Sequence, residues 1–468
     1  MKRRLLTMFL CLLLVLPTVF LAGCKKDEES TPPPQVNVDA GGPLDNLPDA
    51  DFGLRDFVML SNPGWMATEG EYNGDTIHDT NFERYTYLNQ RYNMNFTFHH
   101  SEETFSLLQN TQLGGDQSYD IMYPHPNDLG ALMIGGYLTD LRSLNMIDFD
   151  AEWHNASQVA NYTANGKTYL LASDTTIDSQ ALGAIVYNRD RYSALNFTED
   201  LYQTVWDGNW TMEKFQGIIK TATSDSVGDD TDNSYALCFW DQFADRFACA
   251  MGMDILRKTE NGTFETGMEA AKMTDICNKI YDLIFDNDGI IHGHAFNATL
   301  PTTEFFSAYK SGNSLFLTHD IGSLYSLLRE FDFDIGFLPY PKLDTNQTSY
   351  RSFCASGMLA IPLHAQSTND SGIIMEALAV YSNLYLKPAF IDTILLGRLS
   401  ENSEDFEMLS YLHSIKYYDL GYAMDTDRVA NEIVYVQVIR NKSREIVPAL
   451  RSNAGKIQNI ADKANTLT

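Results

Sequence analysis

Four aromatic residues stand beside turns or at the ends of apolar runs, outside any helical stripe: Trp65, Tyr123, Trp240 and Tyr350. Short polar side chains accompany them at Asn62, Asn127, Asp241 and Asp320. Aromatic rings can cover the apolar C–H face of a sugar, while small amides and carboxylates meet its rim of hydroxyls. Any one of these aromatics could equally be a lid over a core. As a set they fit a binding site for a hydroxylated small molecule.

Motifs for harder chemistry are missing. The chain has no GxGxxG, P-loop, GxSxG or HExxH, which leaves phosphate cradling, serine hydrolysis and zinc peptidase chemistry without support. His292-Gly293-His294 and His99-His100 lack a nearby third ligand and read as loop or strand residues, so no metal is expected. The stretch from Asp225 to Asn233 gathers oxygens, yet counting from Asp230 puts Tyr235 where an EF-hand needs glycine. It reads as a solvated acidic loop. Tyr417-Tyr418 is similar to the paired tyrosines of ferric-ion-binding transport proteins, but lies in a helical region where packing explains it. A glycosidase needs two carboxylates, and with 62 acidic residues a pair can always be found, so that criterion decides nothing. No catalytic residue and no cofactor is expected.

The whole chain sets the context for these residues. Its 468 residues carry a formal charge of −29, which disfavours nucleic acid and a broad basic membrane-binding face. Apart from Cys11 and Cys24, the cysteines are Cys238, Cys249, Cys277 and Cys354, with no CxxC spacing. Cys238 and Cys249 could pair, or all four could be buried thiols. At the N-terminus, Lys2-Arg3-Arg4 precede an apolar run over 5–22 that ends in small residues, the pattern of a secretion signal. Leu21-Ala22-Gly23-Cys24 resembles the lipobox of bacterial lipoproteins, implying removal of 1–23 and lipid on Cys24. Residues 24–50 hold Pro32-Pro33-Pro34 and no apolar periodicity, so they read as a tether, with folded sequence from Asp51.

Beyond the tether, short strand patterns alternate with amphipathic helices, the signature of α/β layering. Strands are expected at Asp56–Leu60, Asn93–Phe98, Tyr119–Tyr123, Ala184–Tyr187, Leu315–Leu317 and Asp334–Leu338. Helices are expected around Phe82–Tyr92, after Thr211, over 268–286, and almost throughout from Ser367. Asn165-Gly166 signals a hairpin turn. There is no internal repeat.

Several passages, in order, resemble carbohydrate-type (family 1) extracellular solute-binding proteins of bacterial ABC importers. Gly136-Tyr137-Leu138-Thr139-Asp140-Leu141 is similar to the family's "G-x-L-x-D-L", and Gly166 to Leu171 followed by Val186-Tyr187-Asn188-Arg189-Asp190 to its passage into the second lobe. Trp210 to Phe215, Phe306 to Leu317 and Asp334 to Pro341 follow in the family's order. Ala172 stands where the family usually has proline, and Ser311-Gly312-Asn313-Ser314 replaces its Gly-Lys-Ala-Ala.

The resemblance implies a two-lobed α/β fold, periplasmic-binding-protein-like, with hinge crossings near 173–183, 299–317 and 348–357 and a helical C-terminal part. Lobe 1 would be 51–175, with 305–350 returning to it. Lobe 2 would be 176–304, with the helical part 351–468. A sugar or oligosaccharide would sit between the lobes, held by Asn62, Trp65, Tyr123, His125, Asn127, Trp240, Asp241, Asp320, Ser323, Tyr350 and Arg351. The expected partners are this solute, ABC permease subunits and, through the lipid anchor, the outer face of the cell membrane, with no nucleic acid and a monomeric state. A surface-anchored carbohydrate-active enzyme, or a receptor for a non-sugar solute, is the alternative.

Overall fold

Alternation of apolar residues builds the first sheet. The computed structural model describes residues 41–63, 71–179, 181–224, 234–293, 302–324, 331–354, 357–396 and 403–467. Strand β1 (Asp56–Ser61) buries Phe57, Met59 and Leu60. It pairs in parallel with β2 (Asn95–His100) on one side and β3 (Ile121–Tyr123) on the other. Helix α1 (Thr76–Tyr92) connects β1 to β2. The Asp75 carboxylate starts it by accepting from the N–H groups of Ile77 and His78, at 3.1 and 2.9 Å. Those are donors that a helix start otherwise leaves unpaired. Asn93 ends it in the left-handed conformation, with φ of 50°.

The second sheet has five strands: β4 (Gly183–Asn188), β5 (Tyr235–Trp240), β6 (Ile290–Gly293), β7 (Ser314–Asp320) and β8 (Ile335–Leu338). Their spatial order is β8-β4-β7-β5-β6. Strand β4 runs antiparallel to both of its neighbours, whereas β7, β5 and β6 are parallel to one another. The C-terminal ends of β5, β6 and β7 therefore share one edge with the N-terminal end of β4, where Asp320 pairs with Gly183. All six residues of β4 are buried, as a strand covered on both faces requires.

Helix α2 (Ala244–Ala250) follows β5 and buries every residue it has, including Asp245 and Arg246. Phe247 packs edge-on to Tyr340 at 4.6 Å, and Trp210, Phe215 and Phe316 continue the aromatic core. Cys238, Cys249, Cys277 and Cys354 are all buried free thiols. Burial pushes Cys238 and Cys277 up to about 12, so they behave as small apolar side chains.

The chain passes between the sheets along two adjacent segments. Leu171–Ala172 pairs with Met358–Leu359 near the first sheet, and Leu182 bridges Cys354 near the second. The first crossing is gripped by α1. Arg84 donates to the Thr175 carbonyl at 2.8 Å and to Ser382 Oγ at 2.7 Å, and burial raises the pKa of neighbouring Asp178 against the pull of Arg84.

Sheet membership departs from the sequence-based expectation. Strands β7 and β8 pair with β4, so this part of 305–350 belongs with the second sheet. The strands flanking 299–317, β6 and β7, lie in the same sheet, so no crossing to the first sheet is needed there. Helix α3 (Thr368–Tyr381), expected with the second lobe, instead covers the first sheet. Its Ile374, Leu378 and Tyr381 share a core with Phe57, Leu88 and Phe96. An apolar strand pattern reports burial and says nothing about which distant strand completes the ladder.

A short helix joins the two bodies. Helix α4 (Leu420–Met424) is capped by Asp419, whose carboxylate accepts from the N–H groups of Gly421 and Ile255, each at 2.7 Å. From the first-lobe side, Tyr162 donates to the Asp419 carbonyl at 3.2 Å and Asn161 to the Tyr418 carbonyl at 2.8 Å. Among the described residues, no helix is long and apolar enough to cross a membrane.

Candidate functional site

The shared edge of β4, β5 and β7 collects polar groups with aromatic neighbours. Trp240 ends β5 and stacks on Phe243, with ring centres 5.3 Å apart. The next residue, Asp241, accepts or shares a proton with His292 Nδ1 at 2.8 Å, joining the ends of β5 and β6. Asp320 ends β7. Between them lies Arg246 of α2, 3.0 Å from Asp245 and 3.4 Å from Asp320. Its guanidinium lies over the rings of Phe243 and Phe353, at 4.5 and 5.2 Å.

Gly183 makes this arrangement possible. A β-carbon there would sit 3.0 Å from both Arg246 Cγ and Tyr340 Cε2, so a larger residue would force both side chains to shift. Burial works against the charge on Arg246, but Asp320 and Asp245 outweigh it and hold the guanidinium protonated. Tyr422 of α4 donates to Asp245 at 3.2 Å. Burial, then Asp245, pushes this phenol above its usual range, so it stays a neutral donor. Burial keeps the His319 imidazole below its usual range.

Three polar atoms of the cluster have no hydrogen-bond partner among the described residues: Trp240 Nε1, Arg246 Nε and Asp320 Oδ1. Two are donors and one is an acceptor. Buried polar groups are normally paired, and an unpaired one costs on the order of 1–3 kcal/mol. Their concentration beside an aromatic face marks this edge as the candidate site.

The sequence-derived candidates divide accordingly. Trp240, Asp241 and Asp320 meet at this edge. Asn62, Tyr123, His125 and Asn127 lie together at the C-terminal end of the first sheet. There the Asn62 N–H donates to the Tyr123 carbonyl at 3.1 Å, and His125 Nδ1 accepts from the Asn127 N–H at 3.1 Å. Tyr123 is fully buried, while Asn127 is exposed.

Tyr350 lies apart from both groups. Its hydroxyl accepts from the Trp210 N–H at 3.0 Å inside the second-lobe core, with Lys342 over its ring. Arg351 is occupied by Asp254 at 2.6 Å and stacks on Tyr417 at 4.3 Å, which also gives Tyr417 a structural task. Trp65, Cys24 and the side chain of Ser323 lie outside the described residues, as does His294.

Arg246, Asp245, Phe243 and Tyr422 were not anticipated. The available signal was the run Phe243-Ala244-Asp245-Arg246-Phe247-Ala248, where an acid–base pair interrupts an otherwise apolar helix. A charge pair in such a place must be buried and satisfied.

Between the lobes, Pro126, Leu129, Tyr162, Phe353, Cys354, Asp419, Tyr422 and Ala423 line a cavity of only about 10 Å³. That space is too small for a sugar ring. A larger depression of about 430 Å³ is lined by Phe197, Glu199, Thr211 and Lys214 among others. None of the candidate residues lines it, and size alone does not make it the site.

No family model matches this sequence, and no curated protein matches it. Solved structures do. A sugar transporter from Rhizobium etli, in an open conformation, matches at a TM-score of 0.58 and 14% identity, over 88% of this chain and 100% of that one. UgpB from Mycobacterium tuberculosis, in complex with glycerophosphocholine, gives 0.58 and 15%, over 88% and 99%. A family 1 extracellular solute-binding protein from Bifidobacterium longum subsp. infantis gives 0.53 and 15%, over 86% and 100%. With two sheets, adjacent crossings and coverage of nearly the whole of each relative, the chain has the two-lobed fold of the extracellular solute-binding proteins.

Proposed function

We propose that this protein is the substrate-binding component of an ABC importer, which captures a sugar or oligosaccharide between its lobes and delivers it to a membrane permease. In this reading Cys24 carries lipid and a tether shorter than the expected 24–50 spans the distance from the membrane, because Leu44 and Leu47 already pack in the first-lobe core; the folded body works on the extracytoplasmic side. The observation that carries the reading is the edge formed by Trp240, Asp241, Arg246 and Asp320. It sets a half-open aromatic face beside polar atoms that still need partners, at the C-terminal strand ends where open α/β sheets bind ligands. The R. etli relative is described as a sugar transporter, and the same fold serves here without any catalytic motif.

Binding without turnover is the test. A ligand at 100 times its Kd stabilises the folded state by about 2.7 kcal/mol, which raises Tm by roughly 3 °C for a body of this size. A screen of mono- and oligosaccharides is expected to give such a shift with the ligand recovered unchanged. Release of product from a glycan would favour an enzyme. A flat response across the whole screen would remove the sugar reading.

A further inference from the structure

We propose that the second-lobe half of the site is selective by charge: it takes neutral or amine-bearing sugar rings and rejects sugar acids and phosphorylated sugars, with Asp320 as the specificity-determining residue. The inference rests on the sugar-binding reading and names the class of sugar.

The argument begins with the unpartnered atoms. Trp240 Nε1–H and Arg246 Nε–H are two donors and Asp320 Oδ1 one acceptor without partners, all three buried in this conformation, so a ligand meets them as the side chains over them shift on binding. A ring hydroxyl accepts and donates at once, and a ring amine donates. A carboxylate or phosphate only accepts, so it would leave Asp320 Oδ1 unpaired while placing its own charge against that oxygen.

Local charge points the same way. Asp245 and Asp320 both engage the one guanidinium, Arg246, and Asp241 adds a third carboxylate at the same sheet edge, paired with His292. From α4, Tyr422 contributes a neutral phenol, while the Asp419 carboxylate is taken up by the Ile255 and Gly421 N–H groups. From the return crossing, Arg351 is committed to Asp254. His292 is hydrogen-bonded to Asp241, and burial disfavours a cation at His319. The surplus of carboxyl groups in a partly desolvated setting repels an anion more strongly than it would in water. By contrast, the Trp240–Phe243 stack accepts an apolar ring face or an ammonium group.

The experiment is a glycan array carrying each ring in matched neutral, 2-amino, 6-carboxylate and 6-phosphate forms, followed by calorimetry on the hits. Neutral or amino forms are expected to bind at least tenfold more tightly than the acid or phosphate of the same ring. In Asp320→Asn that ratio should fall several-fold, because the repulsive charge is gone. Asp241→Asn is the second variant, should the first disturb the Arg246 pair, and it should move the ratio in the same direction. Trp240→Phe keeps the stacking face and removes one donor, so it should weaken binding without changing the ratio. Acid forms binding as well as neutral ones would overturn the charge selectivity while leaving sugar binding intact. So would a ratio unchanged in both Asp variants. Failure of every glycan to bind a correctly folded protein would overturn the sugar reading, and this inference with it.

Discussion

Asp419 holds a helix between two lobes with a carboxylate that is costly to keep charged. Burial, and then the neighbouring Asp254, push it up to about 7, against the pull of the Ile255 and Gly421 N–H groups. An acid whose folded pKa lies above its unfolded value, 3.8, makes its full contribution to stability below that value. The contribution is lost as pH rises through about 7. Over pH 5 to 8 the loss amounts to roughly 3 kcal/mol at most. Denaturant unfolding of the wild type and of Asp419→Asn across that range should therefore diverge. The wild type should fall relative to the variant as pH rises, whatever offset the lost hydrogen bond introduces. Parallel curves would place the Asp419 titration elsewhere. The same scale shows what sequence could reveal of the site. That Trp240, Asp241 and Asp320 share one sheet edge was legible, because Trp240 and Asp320 end strands and Asp241 follows one. Tyr350 looked the same in sequence, yet its hydroxyl is consumed by the Trp210 N–H, a contact 140 residues distant that no local pattern encodes. Arg246 was hidden for the opposite reason, since its helix reads as core and its partner Asp320 lies 74 residues away.

Elements were easier to read than their assembly. The cap at Asp75, the turn at Asn165-Gly166 with φ of 51° and 78°, and the apolar run Ala184–Tyr187 of β4 all follow from local chemistry. Which sheet β7 and β8 would join did not follow, because both candidate ladders accept the same buried apolar strand. Contact between α4 and the first lobe was also invisible, though it leaves a trace in Gly130. A β-carbon on Gly130 would lie 2.2 Å from the Ala423 carbonyl oxygen, a distance that backbone on both sides would have to relieve. Gly130→Ala should destabilise the protein by about 1–3 kcal/mol, the usual cost of overpacking. Gly217→Ala, at a helical position with open space around it, should do no harm. Paired denaturant curves would decide it, and equal midpoints for the two variants would mean that α4 does not press on the first lobe.

The lobes are pinned at their crossings and again where α4 meets Asn161, Tyr162 and Gly130 of the first lobe, so closure has to keep or rearrange that second contact. On the first-lobe side Arg84 holds Thr175 and Ser382, and the Thr176 hydroxyl donates to the Gly357 carbonyl at 3.1 Å. On the second-lobe side Ser352 donates to the Gly183 carbonyl and Leu182 bridges Cys354. Rotation of one lobe against the other bends the chain between those two sets of anchors, beside Gly357, whose φ of 94° is one that side-chain-bearing residues avoid. Such short segments between rigid bodies are where hinge closure concentrates. A ligand touching Trp240 and Asp320 on one lobe and Asn127 or His125 on the other gains its second set of contacts only when the lobes approach. Its affinity for the closed form is then the higher, and it shifts the population towards closure. Small-angle scattering of the folded protein should show the radius of gyration falling when a ligand from the thermal screen is added to saturation. The same measurement on Asp320→Asn at equal ligand concentration should show a smaller fall, in proportion to its reduced occupancy. An unchanged radius at proven saturation would mean that the ligand sits on one lobe alone, and capture by closure would have to be abandoned.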